Sequence, residues 1–180
     1  MGRLLAIAAC LVALSCGGCL MNGARNITLG RGKPSKGEAV VVVGIRNETG
    51  RAAFGFRFDQ YSLEQRKLTM NCFIDNHFQP GADKIGQGET RYFAFTVPAG
   101  DYMGYSQVLG PNGGAGRKAW RADLGEASYF GTFVGAPDTV SLEHRMAEAQ
   151  AFADKRGLGK LTPAEIAPIE FPPAFVVCTP

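Results

Sequence analysis

Five cysteines and two histidines hold most of the chemistry open to this 180-residue chain, and their spacing sorts them into groups. Cys72 and Cys178 stand far apart in the body. In an oxidising compartment they are candidates for a disulfide, whose long closed loop would contribute about 4–5 kcal/mol in the chain-entropy model. Cys72 also falls on the inward parity of an alternating run, where it reads equally as a small core residue. His77 follows Asp75 and Asn76, with Asp83 close by, which is raw material for a metal or a general base. Yet no second His or Cys lies at a ligand spacing, and Asx-rich stretches that end strands are ordinarily turns. A Cys72–His77 nucleophilic pair lacks an orienting third group. The glycine-rich stretch from Gly110 to Lys118 lacks the Gly-Lys-Ser/Thr ending of a phosphate cradle and leads into a strand, so it reads as a hairpin loop. No catalytic residue, metal set or cofactor follows from these residues. Among the rings, Tyr92 lies on the opposite parity from Phe93 and Phe95, which makes it the candidate exposed ring for ligand contact.

The other three cysteines, Cys10, Cys16 and Cys19, crowd the start of the chain. Arg3 precedes an uncharged apolar run from Leu4 to Leu14, too short to span a bilayer, which takes about 20 residues. A basic start, a short apolar run and small residues at its end describe an export signal. Here a cysteine stands where the cut would fall. The stretch Val12-Ala13-Leu14-Ser15-Cys16 resembles the lipobox of bacterial lipoproteins. That resemblance implies a signal peptide over residues 1–15, a diacylglycerol (palmitate-bearing) thioether on Cys16, and cleavage that leaves Cys16 first. Cys19, preceded by the small Gly18, is the alternative acceptor, although Cys16 then occupies a position the box keeps apolar. The acyl chains would hold the protein on a membrane, since each buried methylene is worth about 0.8 kcal/mol. In that family an Asp after the modified cysteine favours the inner membrane. Gly17 stands there, so the resemblance implies the periplasmic side of the outer membrane rather than the inner one.

Lys and Arg number 19 against 16 Asp and Glu, an excess too small to argue for a nucleic-acid partner. Hydrophobic residues make up 46% and charged residues 19%, which excludes a disordered chain and any collagen-like or coiled-coil class. Residues 16–37 read as a lipidated start and a basic, flexible tether. Arg25, Arg31, Lys33 and Lys36 give it charge, and it holds no carboxylate and no aromatic ring. All the aromatic residues lie from Phe54 onward, so the packed domain is expected over residues 38–180.

That domain must position whatever binds, and its texture is strand. Ala39 to Ile45 is a β-branched run suited to a strand buried on both faces. Phe54, Phe56 and Phe58 alternate with smaller or polar residues, as do Leu68, Met70, Cys72 and Ile74, and Phe93, Phe95 and Val97. Tyr102 to Leu109, Ala119 to Leu124, Ser128 to Val134 and Phe175 to Cys178 continue the series. In Val97-Pro98-Ala99-Gly100-Asp101-Tyr102, Pro fixes φ and Gly admits a positive φ, which predicts a three-residue hairpin loop with a bulge. This turn resembles one found in bacterial β-sandwich modules, including transthyretin-like and carboxypeptidase-regulatory-like domains.

One helix is predicted over 141–156. Ser141 would cap it, Glu143 and His144 would stand in its first turn, and Gly157 with Leu158 would end it in a Schellman motif. Leu142, Met146, Ala149 and Ala153 would form its apolar stripe, covering a sheet edge or an open end. Thr162-Pro163-Ala164-Glu165 has capping-box spacing and predicts a further short helical turn. The expected class is therefore mainly β: an antiparallel β-sandwich, immunoglobulin- or transthyretin-like, with one appended α-helix. The expected role is a lipid-anchored, non-catalytic module of the cell envelope that meets a protein or glycan partner. The rival is a periplasmic hydrolase or carbohydrate-acting enzyme, with Asp75, His77 and Asp83 gathered in one pocket.

Overall fold

Val41, Val43 and Ile45 point to one side of their strand and Val40 and Val42 to the other, and all five are buried. A strand this apolar on both faces needs cover on both. The computed structural model supplies it in three layers. It describes residues 22–29, 34–49, 55–69, 76–81, 85–100, 102–109, 118–125, 127–137 and 139–169. Among these, the strands are β1 (Arg25–Asn26), β2 (Glu38–Asn47), β3 (Gly55–Ser62), β4 (Lys67–Leu68), β5 (His77–Phe78), β6 (Thr90–Pro98), β7 (Tyr102–Leu109), β8 (Lys118–Arg121), β9 (Ala127–Gly135), β10 (Val140–Glu143), β11 (Leu161–Pro163) and β12 (Ile166–Pro168). The helix α1 is Met146–Asp154.

Two sheets pack face to face, and the fold is a β-sandwich with one helix. The first runs β1-β6-β2-β9-β10, with β11 also on β9; the second runs β12-β8-β7-β3-β4, with β5 also on β3. The pairing is antiparallel except where β2 and β11 lie parallel to β9, so the first sheet is mixed. The core between the sheets is aromatic. Phe78 of the second sheet stacks on Phe95 of the first at 4.4 Å between centroids and on Phe58 at 4.6 Å. Phe58 meets Phe133 edge-on at 5.4 Å, and Trp120 stacks on Phe130 at 5.8 Å. Each fully buried ring contributes roughly 1.5–3 kcal/mol from surface removed from water.

The helix is the third layer. Ala149 and Ala153 are buried, and with Met146, Phe152 and Leu158 they pack on Val40, Val42, Ala94 and Tyr129. It therefore covers the outer face of the first sheet, not an edge or an open end. It is also shorter than the caps imply. Ser141, Leu142 and Glu143 belong to β10, because the exposed edge of β9 offers them ladder partners: Ser141 sits opposite Val134 and Leu142 opposite Phe133. Leu142 packs on the core between the sheets, and His144 lies exposed in the connection ahead of the helix. The far end matches its signals. Gly157 has φ +64°, its N–H donates to the Asp154 carbonyl, and the Leu158 N–H donates to the Ala153 carbonyl.

Three connections close the sandwich, and each departs from the local reading. Gly100 has φ +87°, yet β6 and β7 belong to different sheets. The turn is a corner rather than a hairpin: the Ala99 N–H donates to the Gly37 carbonyl and the Gly100 N–H to the Ala122 carbonyl. Thr162 and Pro163 form β11 on the first sheet and Ile166 to Pro168 form β12 on the second, so this segment bridges the layers instead of coiling. Glu165 at the crossing accepts a hydrogen bond from the Tyr102 hydroxyl at 3.0 Å.

The third connection is N-terminal. Arg25 and Asn26 pair with Thr96 and Phe95, and Ile27 is buried beside the helix. Asn22 donates to the His77 carbonyl at 2.8 Å and Gly23 donates to Asn76 Oδ1 at 3.1 Å. The stretch read as a tether thus supplies a strand that ties β6 to β5, and the packed body begins before Glu38.

Candidate functional site

Tyr92 is on the outward parity of β6, but α1 covers that face. Its ring is half-buried, 5.8 Å from that of Phe152, so it is a covered ring rather than the exposed one that its parity suggests. A polar cluster surrounds it, built by an irregularity in β9. Val42 pairs with Tyr129 and Val43 with Gly131, so Phe130 is an extra residue, a β-bulge. Without the bulge, Tyr129 and Thr132 would face opposite sides. With it, both face outward and their hydroxyl oxygens stand 2.7 Å apart. Gly44, beside them on β2, leaves the space they fill: a Cβ there would collide with Thr132 Oγ1 and lie 2.8 Å from Tyr92 Cε1.

Hydrogens in this cluster point one way. The Arg145 backbone N–H donates to Tyr129 Oη at 3.2 Å, and Thr132 Oγ1 donates to Tyr92 Oη at 3.4 Å. Tyr92 Oη donates to Glu148 Oε2 at 3.2 Å. With Thr132 donating onward, Tyr129 donates to Thr132, and the chain ends on a carboxylate. Arg145 closes the rim through Glu143 at 2.6 Å and Glu148 at 3.4 Å. Burial pushes the Tyr92 hydroxyl pKa well above the ordinary tyrosine range, and the nearby Glu148 carboxylate adds to the rise. Burial raises Tyr129 as well. Both phenols therefore act as neutral donors at physiological pH. The arrangement can hold a helix on a sheet and orient a carboxylate, and it includes no activated nucleophile.

The concave feature of the opposite sheet lies elsewhere. Tyr61, Leu63, Arg66, Pro168 and Ile169 line an open cleft of about 260 Å³. That is at or below the size of ordinary ligand pockets, roughly 300–1,000 Å³. Its walls are an aromatic ring, aliphatic side chains and one cation, with no general acid or base among them.

Of the residues singled out by sequence, few meet. His77 sits on β5 opposite Asp59, half-buried, and is part of neither the Tyr92 cluster nor the lining of the cleft. Asp75, Asp83, Cys72 and Cys178 lie outside the described residues, as do Cys10, Cys16, Cys19 and most of the stretch from Gly110 to Lys118. Among the described residues, no three His, Cys, Asp or Glu side chains are grouped so as to hold a metal ion. Nor is any helix among them long and apolar enough to cross a membrane. Sequence reasoning did not reach Thr132, Arg145 and Glu148, nor the meeting of Tyr129 with Tyr92; a glycine inside a strand, Gly131, was the available sign of the bulge that assembles them. Compared with protein-family models, curated proteins and solved structures, the chain matches none.

Proposed function

We propose that this chain is a lipid-anchored cell-envelope protein, acylated on Cys16, whose β-sandwich body is a non-catalytic module for binding an envelope partner. The observation that carries the anchor is the placement of Cys16 at the end of a short apolar run, directly after Leu14 and Ser15. Asn22, the first of the described residues and one bonded to the body, comes only six positions later, so the lipid would restrict the module to the membrane surface. Such restriction raises the effective concentration of a weak binder toward partners in the same envelope. The non-catalytic reading draws support from the Tyr92 cluster. Its hydroxyls bond to one another and to Glu148 beneath a helix, so they serve packing rather than an open site. The envelope face is that of the periplasm, with the outer membrane favoured by Gly17.

Membrane fractionation joined to mass spectrometry of the N-terminal peptide tests the anchor. The wild-type protein should partition with membranes and carry diacylglycerol on Cys16, and Cys16→Ser should leave it unacylated and released. Blocking the lipoprotein signal peptidase should shift the mature band to a larger size. A Cys16→Ser protein still held as firmly, with no acyl group on Cys19, would falsify the reading.

A further inference from the structure

Asn22 and Gly23 form one of the chain's two Asn-Gly pairs; Asn112 and Gly113 form the other. This dipeptide carries its own chemistry. Glycine leaves the nitrogen after the asparagine unshielded by a Cβ, and that nitrogen can attack the side-chain carbonyl carbon. A bond forms between the Gly23 nitrogen and Asn22 Cγ, the Cγ–Nδ2 bond breaks, and ammonia leaves carrying the Gly23 N–H proton. Water then opens the cyclic imide at either carbonyl, leaving aspartate or isoaspartate at position 22.

The fold holds each group in that reaction. Asn22 Nδ2 donates to the His77 carbonyl at 2.8 Å, and the His77 N–H donates back to Asn22 Oδ1 at 3.2 Å. The carboxamide thus pairs with β5 as the backbone of a neighbouring strand would. The Ala24 N–H also donates to Asn22 Oδ1, at 2.9 Å. The Gly23 N–H, which must give up its proton, donates to Asn76 Oδ1 at 3.1 Å. Asn76 is itself fixed, since its side chain donates to Gln60 and its carbonyl accepts from the Gln60 N–H at 3.0 Å. Attack draws Cγ onto the Gly23 nitrogen and takes that proton, at the expense of the bonds to the His77 carbonyl and to Asn76. The product cannot remake this clasp. Aspartate sets a carboxylate oxygen where Nδ2 stood, facing the His77 carbonyl with no hydrogen between them. Isoaspartate also lengthens the main chain by a methylene just ahead of Gly23.

We propose that Asn22 is a deamidation site protected by the closed clasp, and that its conversion releases the start of the body from the second sheet. Arg25 and Asn26 stay on β6, whose ladder the reaction does not touch. The proposal stands on these bonds and is independent of the lipid anchor.

The test incubates the full chain at neutral pH, folded and in urea, and follows both Asn-Gly pairs by peptide mass spectrometry. In urea the two should convert at similar rates. Folding should slow Asn22 about tenfold, the effect of one or two ordinary hydrogen bonds. Asn76→Ala, which removes the acceptor of the Gly23 N–H, should speed Asn22 about threefold in the folded protein and leave Asn112 unchanged. A folded rate for Asn22 at or above its rate in urea would overturn the protection. It would show the Ala24 and His77 N–H groups stabilising the oxyanion of the attack instead. Asn22→Asp tests the release directly, by amide exchange. The Gly23 amide should exchange about tenfold faster than in the wild type, while the Ile27 amide, bonded to the Ala94 carbonyl at 2.8 Å, is unchanged. A Gly23 amide as protected in Asn22→Asp as in the wild type would overturn the release.

Discussion

Tyr92 on β6 donates its hydroxyl hydrogen to Glu148 on the helix, 3.2 Å away, so the outer layer is fastened to the first sheet by a polar bond as well as by apolar packing. The bond requires a protonated phenol. Burial holds the Tyr92 pKa above its unfolded value near 10, so its stabilising contribution is complete below about pH 10 and is lost as pH rises through the folded pKa. Wild-type protein should therefore lose thermal stability from about pH 10 upward. Tyr92→Phe should cost about 0.5–1.5 kcal/mol at neutral pH and flatten the alkaline decline. Melting curves between neutral and strongly alkaline pH, wild type against variant, decide it; parallel declines would remove Tyr92 from the account.

How much of this was readable beforehand depends on the range of the interaction. The double burial of the Ala39–Ile45 run, the inward set of Phe95 and Val97, and the Schellman ending at Gly157 are written in residues a few positions apart. Partner choice is not. Pro98, Ala99 and Gly100 specify a left-handed turn, but nothing in them says that β7 will leave for the other sheet. Ser141 and Glu143 would cap a helix, and the free edge of β9 claims them instead. The Tyr92 site was less legible still, because strict alternation puts Tyr129 and Thr132 on opposite faces. The bulge at Phe130, which joins them, depends on pairing with β2, a strand far away in the sequence.

Gly44 is the residue on which that close approach depends. Its φ is ordinary, so alanine would suit the backbone, and only the lack of space forbids it. A Cβ would press on Thr132 Oγ1 and on the Tyr92 ring, both already fixed by hydrogen bonds. Gly44→Ala should destabilise by about 1–3 kcal/mol, the usual range for overpacking. Gly157→Ala provides the contrast. Nothing stands within 4 Å of its Cβ position, and the penalty there is the left-handed backbone alone, about 1 kcal/mol. Combining Gly44→Ala with Thr132→Ala, which removes the Oγ1 that the new Cβ would strike, should recover part of the loss, whereas Gly157→Ala should gain nothing from it. Chemical denaturation of the six proteins measures the coupling; strict additivity of Gly44→Ala and Thr132→Ala would show that the steric account is wrong.

Trp120, the chain's one tryptophan, offers a reading of the interior. It is fully buried, stacked on Phe130 and edge-on to Phe58 at 5.9 Å and Phe133 at 5.4 Å. Its Nε1–H has no hydrogen-bond partner among the described residues. An indole so placed makes its contribution through area and ring geometry, and the unpaired N–H subtracts from it. Trp120→Phe should therefore cost less than ordinary truncation of a core ring, since the change discards an unsatisfied donor along with part of the surface. Trp120→Ala should cost about 3–5 kcal/mol, because the space is walled by three phenylalanines from both sheets and cannot collapse without moving them. Fluorescence supplies the check in the unmutated protein. Emission should be blue-shifted and insensitive to an ionic quencher, and it should move to the red in one transition with the loss of far-ultraviolet signal. Efficient quenching of the native protein by iodide would place the indole at the surface and contradict the packing of the two sheets around it.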